Sequence, residues 1–175
     1  RRVLLLGGGP GVVEEILKHP SVETLTYVEL DPVAVEMVRR EFPPAAARVF
    51  YDKRVAVTLA DGSNGPFSNT CATTSAPDWP CGPGGSDVWF RYTAACTWNV
   101  TFDTCTGTGY DTTLQVFSGG CASLTSLGCN DDACALQSSI TIPATAGTTY
   151  WIRVGGYFGR QGTFALLSRN LLRTE

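Results

Sequence analysis

The sequence predicts an α/β half-sheet of order βαβαβ followed by an all-β, jelly-roll-like sandwich. Three observations lead there. Strand and helix signals alternate as far as Gly62, and only strand signals follow Phe67. Charge is lopsided: residues 1–62 hold 17 charged side chains and no cysteine, while 63–175 hold 12, with all seven cysteines, 14 of the 19 glycines and no lysine or histidine. About 27% of the first stretch is charged against about 11% of the second, a contrast that two modules explain and one uniform domain does not. The expected divisions are 1–62, a junction at 63–66, a sandwich over 67–168 and a tail at 169–175. A net charge of -3 with scattered basic residues argues against a nucleic-acid surface. No apolar run approaches the roughly 20 residues that span a bilayer. The chain opens on Arg1-Arg2 without a methionine, which leaves room for a leader or further domain upstream.

Val3 to Leu6 is an apolar run ending in Gly7-Gly8-Gly9-Pro10-Gly11, as a buried parallel strand does when it enters a glycine-rich turn. Val12 to His19 follows at helical spacing, with Val12, Val13, Ile16 and Leu17 on one side and Glu14, Glu15 and Lys18 on the other. Pro20 stops it. Thr24 to Leu30 is the second strand. Asp31-Pro32 gives an N-cap and a first-turn proline to a helix over Val33 to Phe42, and Val55 to Leu59 is the third strand. These elements make half of a doubly wound, Rossmann-type sheet. Gly7-x-Gly9-x-Gly11 lets the backbone turn beneath a nucleoside where a side chain would collide. Glu29, 20 residues after Gly9, sits where a carboxylate accepts hydrogen bonds from ribose hydroxyls.

The stretch VLLLGGGPGVVEEILKHPSVETLTYVELDP, with VAVEMVRREFP and VAVTLADG after it, resembles the polyamine aminopropyltransferases (spermidine synthases) and their bacterial synthase-like relatives over roughly the first 62 residues. The resemblance implies an S-adenosyl nucleoside as cofactor. It places Gly7, Gly9 and Gly11 against the nucleoside, Glu29 on the ribose, and Asp61 and Gly62 at the adenine edge. Two departures stand out. Pro10 occupies a position where polyamine-active members usually carry an aspartate. The helix, acidic strand and second half-sheet that follow in that family have no counterpart after Gly62. The first strand, central in the usual order, is therefore expected to show an unpaired apolar edge and to favour self-association. The segment is expected to bind adenosyl ligands weakly or not at all.

From Phe67 onward two-residue alternation recurs between turn clusters. Asp87 to Thr93 places Val88, Phe90 and Tyr92 on one face, Trp98 to Asp103 places Val100 and Phe102, and Thr112 to Ser118 places Leu114 and Val116. Ser138 to Pro143 adds Ile140 and Ile142, Thr149 to Val154 adds Tyr150, Ile152 and Val154, and Thr163 to Ser168 adds Phe164 and Leu166. Short strands at roughly ten-residue intervals indicate a sandwich or jelly roll.

The cysteines read as a disulfide framework in an oxidising compartment, since their spacing lacks the two close pairs of a zinc site. Cys96 with Cys105 and Cys121 with Cys129 would close short loops, and Cys71 with Cys81 would staple the leading segment. Cys134 is the candidate left over, although spacing leaves the connectivity open. Asn130-Asp131-Asp132 follows Cys129, and Asp103 and Asp111 flank another loop. Asp111, Asp131 and Asp132 are the candidate metal ligands, hard oxygens suited to calcium. The competing reading is that Asp and Asn here are turn formers. Trp89 and Trp151 lie opposite the inward positions of their strands, either as a stacking platform or as cover for the outer face. A nucleophile here would have no histidine or lysine as its base.

SDVWFRYTA, FDTCTGTGYDTTLQVFSG, CNDDAC and ATAGTTYWIRVGGYFGRQGTFAL resemble the cysteine-rich form of the pre-peptidase C-terminal β-sandwich of secreted bacterial proteins, from about Phe67 to Leu167. That resemblance implies a non-catalytic extracellular or cell-surface module, with calcium and an extracellular polymer or protein as its ligands. The first module, free of cysteine, suits the cytoplasm instead. Two ancestries with different compartments in one chain lead to the expectation of a chimeric, mis-joined or incomplete pair. The function expected is a non-catalytic binding module carrying a partial nucleoside-binding segment. The alternative is an S-adenosyl-dependent aminopropyltransferase.

Overall fold

Hydrophobic alternation dictates most of the architecture. In the computed structural model, which describes residues 2–6, 10–28, 55–120 and 123–170, the chain is mostly β-sheet. The order is β1 (Arg2–Leu6), α1 (Pro10–Leu17), β2 (Thr24–Val28), β3 (Val55–Thr58), β4 (Gly62–Ser68), β5 (Gly84–Thr93) and β6 (Trp98–Asp103). It continues with β7 (Thr112–Gly120), β8 (Ser123–Asn130), β9 (Ser139–Ala144), β10 (Thr149–Tyr157) and β11 (Thr163–Asn170). The expected helix over Val33 to Phe42 lies outside the described residues. No helix among those described is long and apolar enough to cross a membrane.

Two sheets form, ordered β1-β2-β3-β5-β10-β7-β8 and β4-β11-β6-β9. From β4 onward the strand orders β5-β10-β7-β8 and β4-β11-β6-β9 are those of an eight-stranded jelly roll. Val88, Phe90, Tyr92, Leu114, Val116, Tyr150, Ile152 and Val154 from one sheet meet Phe67, Val100, Phe102, Ile140, Ile142, Phe164 and Leu166 from the other in one buried cluster. Every residue that alternation assigned to the inner faces is in it. Phe67 and Phe90 have ring centroids 4.7 Å apart, and Tyr92 meets Phe102 edge-on at 5.3 Å. Each fully buried aromatic of this kind stabilises the fold by roughly 1.5–3 kcal/mol.

Two strands escape the alternation rule. β4, with the sequence GSNGPFS, reads as the junction at 63–66 yet pairs antiparallel with β11. β8 pairs only with β7 and is largely exposed, so its residues need no period of two. Both are edge strands. Pro66 on β4 and Pro143 on β9 lie on edges of the four-stranded sheet, where a missing N–H breaks no central ladder. The candidate tail overlaps β11, which reaches Asn170.

The first segment joins the larger sheet. β1 and β2 are parallel, β2 and β3 are parallel, and β3 lies parallel to β5 through Val57↔Phe90 and Thr58↔Arg91. This covers an edge that the sandwich would otherwise expose. β1 ends the sheet, with no strand on its outer side among the described residues. Pro10 opens α1, where an absent N–H costs no helical bond. Val13 is fully buried and Ile16 and Leu17 are half-buried, as i, i+3 and i+4 require. Val12 departs from expectation and is exposed, being one residue off that stripe.

The disulfide pairing corrects every pair suggested by proximity in sequence. The bonds are Cys81–Cys129 and Cys105–Cys134, so Cys134 is not the odd cysteine. Cys71 and Cys96 are free, and Cys121 lies outside the described residues. Cys96 and Cys105 flank β6, and a six-residue strand separates its ends by about 20 Å. A disulfide needs Cα atoms only about 4.4–6.8 Å apart.

Candidate functional site

The acidic residues of the sandwich come together as the residues around them dictate. Asp111 immediately precedes β7, and Asp131 and Asp132 form the turn after β8. One ligand oxygen from each of Asp111, Asp131 and Asp132 lies within 4.8 Å of the others. Ser138 holds this corner: its Oγ is 2.6 Å from the Thr112 carbonyl and 2.7 Å from the Asp131 carbonyl. Asn130 Oδ1 accepts from Ser139 N at 2.9 Å, and Tyr157 N donates to the Asp111 carbonyl at 3.1 Å. Cys81–Cys129 ties the residue before Asn130 to the segment leading into β5. Cys105–Cys134 ties the same turn to the loop after β6.

This corner is electrostatically unsatisfied. Asp111 Oδ1 and Asp131 Oδ1 are buried acceptors without a donor. Burial, then the Asp132 charge, pushes the Asp111 carboxyl above its ordinary range, with Arg160 opposing. Burial, then Asp132 and Asp111, pushes Asp131 up as well. The Thr113 hydroxyl, fully buried, faces Asp131 and partly offsets this without completing a well-formed hydrogen bond. Thr113 and Ser138, which help organise the site, carried no signal in the sequence beyond lying near the aspartates, and Tyr157, distant from all three in sequence, carried none. Asp103 does not join the trio. It is buried, accepts from Cys105 N at 3.2 Å and pairs with Arg169 at 3.0 Å.

The outer face of the larger sheet has a different character. Trp89 and Trp151 do point away from the core, yet Trp151 is only 8% exposed and Trp89 stacks on Phe117 at 5.3 Å. The face is covered. Arg153, fully buried, lies 3.8 Å from the Trp79 ring centroid and donates to the carbonyls of Ser75 and Pro77 at 3.1 and 2.7 Å. It also donates to Gln115 Oε1, and Asp87 lies 3.9 Å away. Trp79 fits because Gly84 and Gly155 lack side chains; a Cβ at either would come within 2.6 or 2.7 Å of the indole. Arg153 lies on this face because it alternates with Ile152 and Val154 along β10, and its burial comes from the strap of residues around 75–79 folding back over it.

Of the residues assigned to a nucleoside, Gly7, Gly9 and Glu29 lie outside the described residues. Gly11 is in the first turn of α1. Asp61 and Gly62 stand at the start of β4, where Asp61 Oδ1 accepts from Tyr92 Oη at 2.7 Å and Gly62 pairs with Ser168.

Comparison with known proteins bears on the parallel β1-α1-β2 unit. Residues 1–71 match the spermine/spermidine synthase domain family. The synthase-like segment is 41% identical over 63 residues to a spermine synthase of Saccharomyces cerevisiae, covering 35% of this chain and 21% of that protein. It is 44% identical over 64 residues to putrescine N-methyltransferase 1 of Nicotiana tabacum, covering 36% and 17%. Against polyamine aminopropyltransferase 1 of Pseudomonas aeruginosa it is 41% identical over 63 residues, covering 35% and 22%. The chain thus spans about a fifth of the length of these relatives. Among solved structures, the pre-peptidase C-terminal domain of a Bacillus anthracis collagenase is similar at a TM-score of 0.43 and 13% identity, over 65% of this chain and 94% of that one. The Clostridium stercorarium module CsCBM6-3, in complex with cellobiose, is similar at 0.32 and 20%, over 63% and 87%. At such scores the sandwich is defined by its own strand order.

Proposed function

We propose that the protein is a non-catalytic, extracellular accessory or binding module whose sandwich holds a calcium ion at Asp111, Asp131 and Asp132. The observation that supports this most is the pair of buried, donorless oxygens, Asp111 Oδ1 and Asp131 Oδ1, inside a cluster of three carboxylates. Calcium takes six to eight hard oxygens, so water and backbone carbonyls would complete the set. The ion would neutralise charge and hold loops together. Two disulfides favour an oxidising exterior. The expected partner is an extracellular polymer or another protein.

The test is a calcium titration of the full chain followed by thermal unfolding. At about 100 times its Kd calcium adds about 2.7 kcal/mol, a rise in Tm on the order of 5–10 °C. Asp131→Asn should abolish that rise. The same variant should be more stable than wild type without calcium at neutral pH, and this is the discriminating result. Asp111 and Asp131 have folded pKa values raised above 3.8, so their stabilising contribution is full below that value and is lost as pH rises through the raised ones. Metal-free protein should therefore gain stability on acidification across that window, and Asp131→Asn should gain less. A calcium-independent Tm in wild type would count against the site.

An S-adenosyl-dependent aminopropyltransferase is the second reading, favoured by the match over residues 1–71. The matched relatives are named for different transfers, spermine synthesis and putrescine N-methylation, so their shared 63–64 residues are compatible with either. Turnover of decarboxylated S-adenosylmethionine with putrescine would decide for this reading. The apolar outer edge of β1 supports self-association. Light scattering across a concentration series should show a dimer if that edge pairs.

A further inference from the structure

We infer that the corner from Leu59 to Gly62 belongs to the sandwich, with Asp61 acting as the acceptor that positions Tyr92 rather than as an adenine contact. Leu59 is 5% exposed and lies in the sandwich core cluster, and its N–H donates to the Arg91 carbonyl on β5 at 2.7 Å. Ala60 is clamped at both backbone groups. Its N–H donates to Asn64 Oδ1 at 3.0 Å, while its carbonyl accepts from Asn64 Nδ2 at 2.9 Å and from Ser168 Oγ on β11 at 2.6 Å. Asn64 Nδ2 also reaches the Leu166 carbonyl at 3.3 Å. β4, which Gly62 begins, is the strand that completes the four-stranded sheet of the jelly roll. The family match runs to residue 71, so its last residues fold as part of the sandwich.

The Tyr92 hydroxyl needs this arrangement. Its ring is buried against Phe102, and a buried phenol without an acceptor is costly. Asp61 supplies that acceptor at 2.7 Å from a position 31 residues away in sequence. Burial and the Asp61 carboxylate both raise the Tyr92 pKa well above the usual phenol value. The adenosyl nucleoside implied by the family resemblance therefore fits this corner poorly, since the side chain meant for its adenine edge is engaged by β5.

Three variants of the full chain test the inference: Tyr92→Phe, Asp61→Ala and the double substitution. Each single change should lower Tm by about 5 °C, and the double variant should fall little further, because both remove one interaction. Titration with methylthioadenosine should give no binding heat. In Asp61→Ala the Tyr92 phenolate, followed by ultraviolet absorbance, should appear at lower pH than in wild type. Additive losses of Tm would overturn the inference. So would micromolar methylthioadenosine binding that Asp61→Ala weakens tenfold or more while Tyr92→Phe leaves it intact.

Discussion

Arg153→Ala is expected to lower stability by about 3–5 kcal/mol, read as a shift of the urea midpoint by tryptophan fluorescence. Arg153 is fully buried and links the strap to the sheet through the Ser75 and Pro77 carbonyls. Its truncation would leave Asp87, whose side chain is 1% exposed, without its cation. It would also empty the slot between Trp79 and Gln115. Burial pulls the Arg153 pKa down to about 10, with Asp87 and Asp78 opposing, so the group stays a cation at neutral pH. Asp87 keeps its bonds from Ser75 N and Oγ at 2.9 and 2.6 Å, so only part of its solvation is lost. Arg153→Lys should rescue little, because an ammonium cannot reproduce a flat fork stacked on an indole. Combining Arg153→Met with Asp87→Asn should recover a large share, since the unpaired charge is then gone. If Arg153→Ala unfolds at the wild-type midpoint, the strap is not held by this residue.

The second large effect is expected from Cys81→Ala with Cys129→Ala. The bridge spans 48 residues, and loop-closure entropy assigns it about 4 kcal/mol. Cys105–Cys134 spans 29 residues, which gives a slightly smaller figure of about 3.6 kcal/mol. The first pair should also weaken calcium binding, because Cys129 precedes Asn130-Asp131-Asp132. The second should weaken it through Cys134, two residues after Asp132. Peptide mapping of the unreduced protein should recover the 81–129 and 105–134 linkages, and recovery of 96–105 or 71–81 would contradict the fold. Thermal unfolding with and without reductant gives the energetic half of the test.

Much of the sandwich was legible because burial acts on near neighbours. A residue such as Ile152 faces the core whenever its strand is half-buried, and the period of two needs no knowledge of the partner strand. The same rule put Trp89 and Trp151 outward, correctly as to direction. It could not foresee that residues 75–79 return over that face, although a face carrying Trp89, Phe117 and Trp151 is unusually apolar for one left in water. β4 and β8 were illegible for the opposite reason. Most of their residues are exposed or half-buried, so Gly62–Ser68 and Ser123–Asn130 carry no alternation, unlike the edge strand β9, which buries Ile140, Ile142 and Ala144.

Read alone, the sequence showed the two compositions, the inner faces of the sandwich strands, the glycine-rich, synthase-like wording of residues 1–62, and which aspartates were candidates for a metal. Tertiary structure decided the disulfide pairs, the assembly of Asp111 with Asp131 and Asp132, the burial of Arg153 and the use of Asp61 by Tyr92. The physical reason is the jelly roll itself. Successive strands mostly alternate between sheets, so cysteines close in sequence can sit at opposite ends of a strand. Segments tens of residues apart, such as the approach to β5 with Cys81 and the end of β8 with Cys129, meet at one end. Periodicity is a local property of the chain, whereas partnership is fixed only when the sheets close on each other.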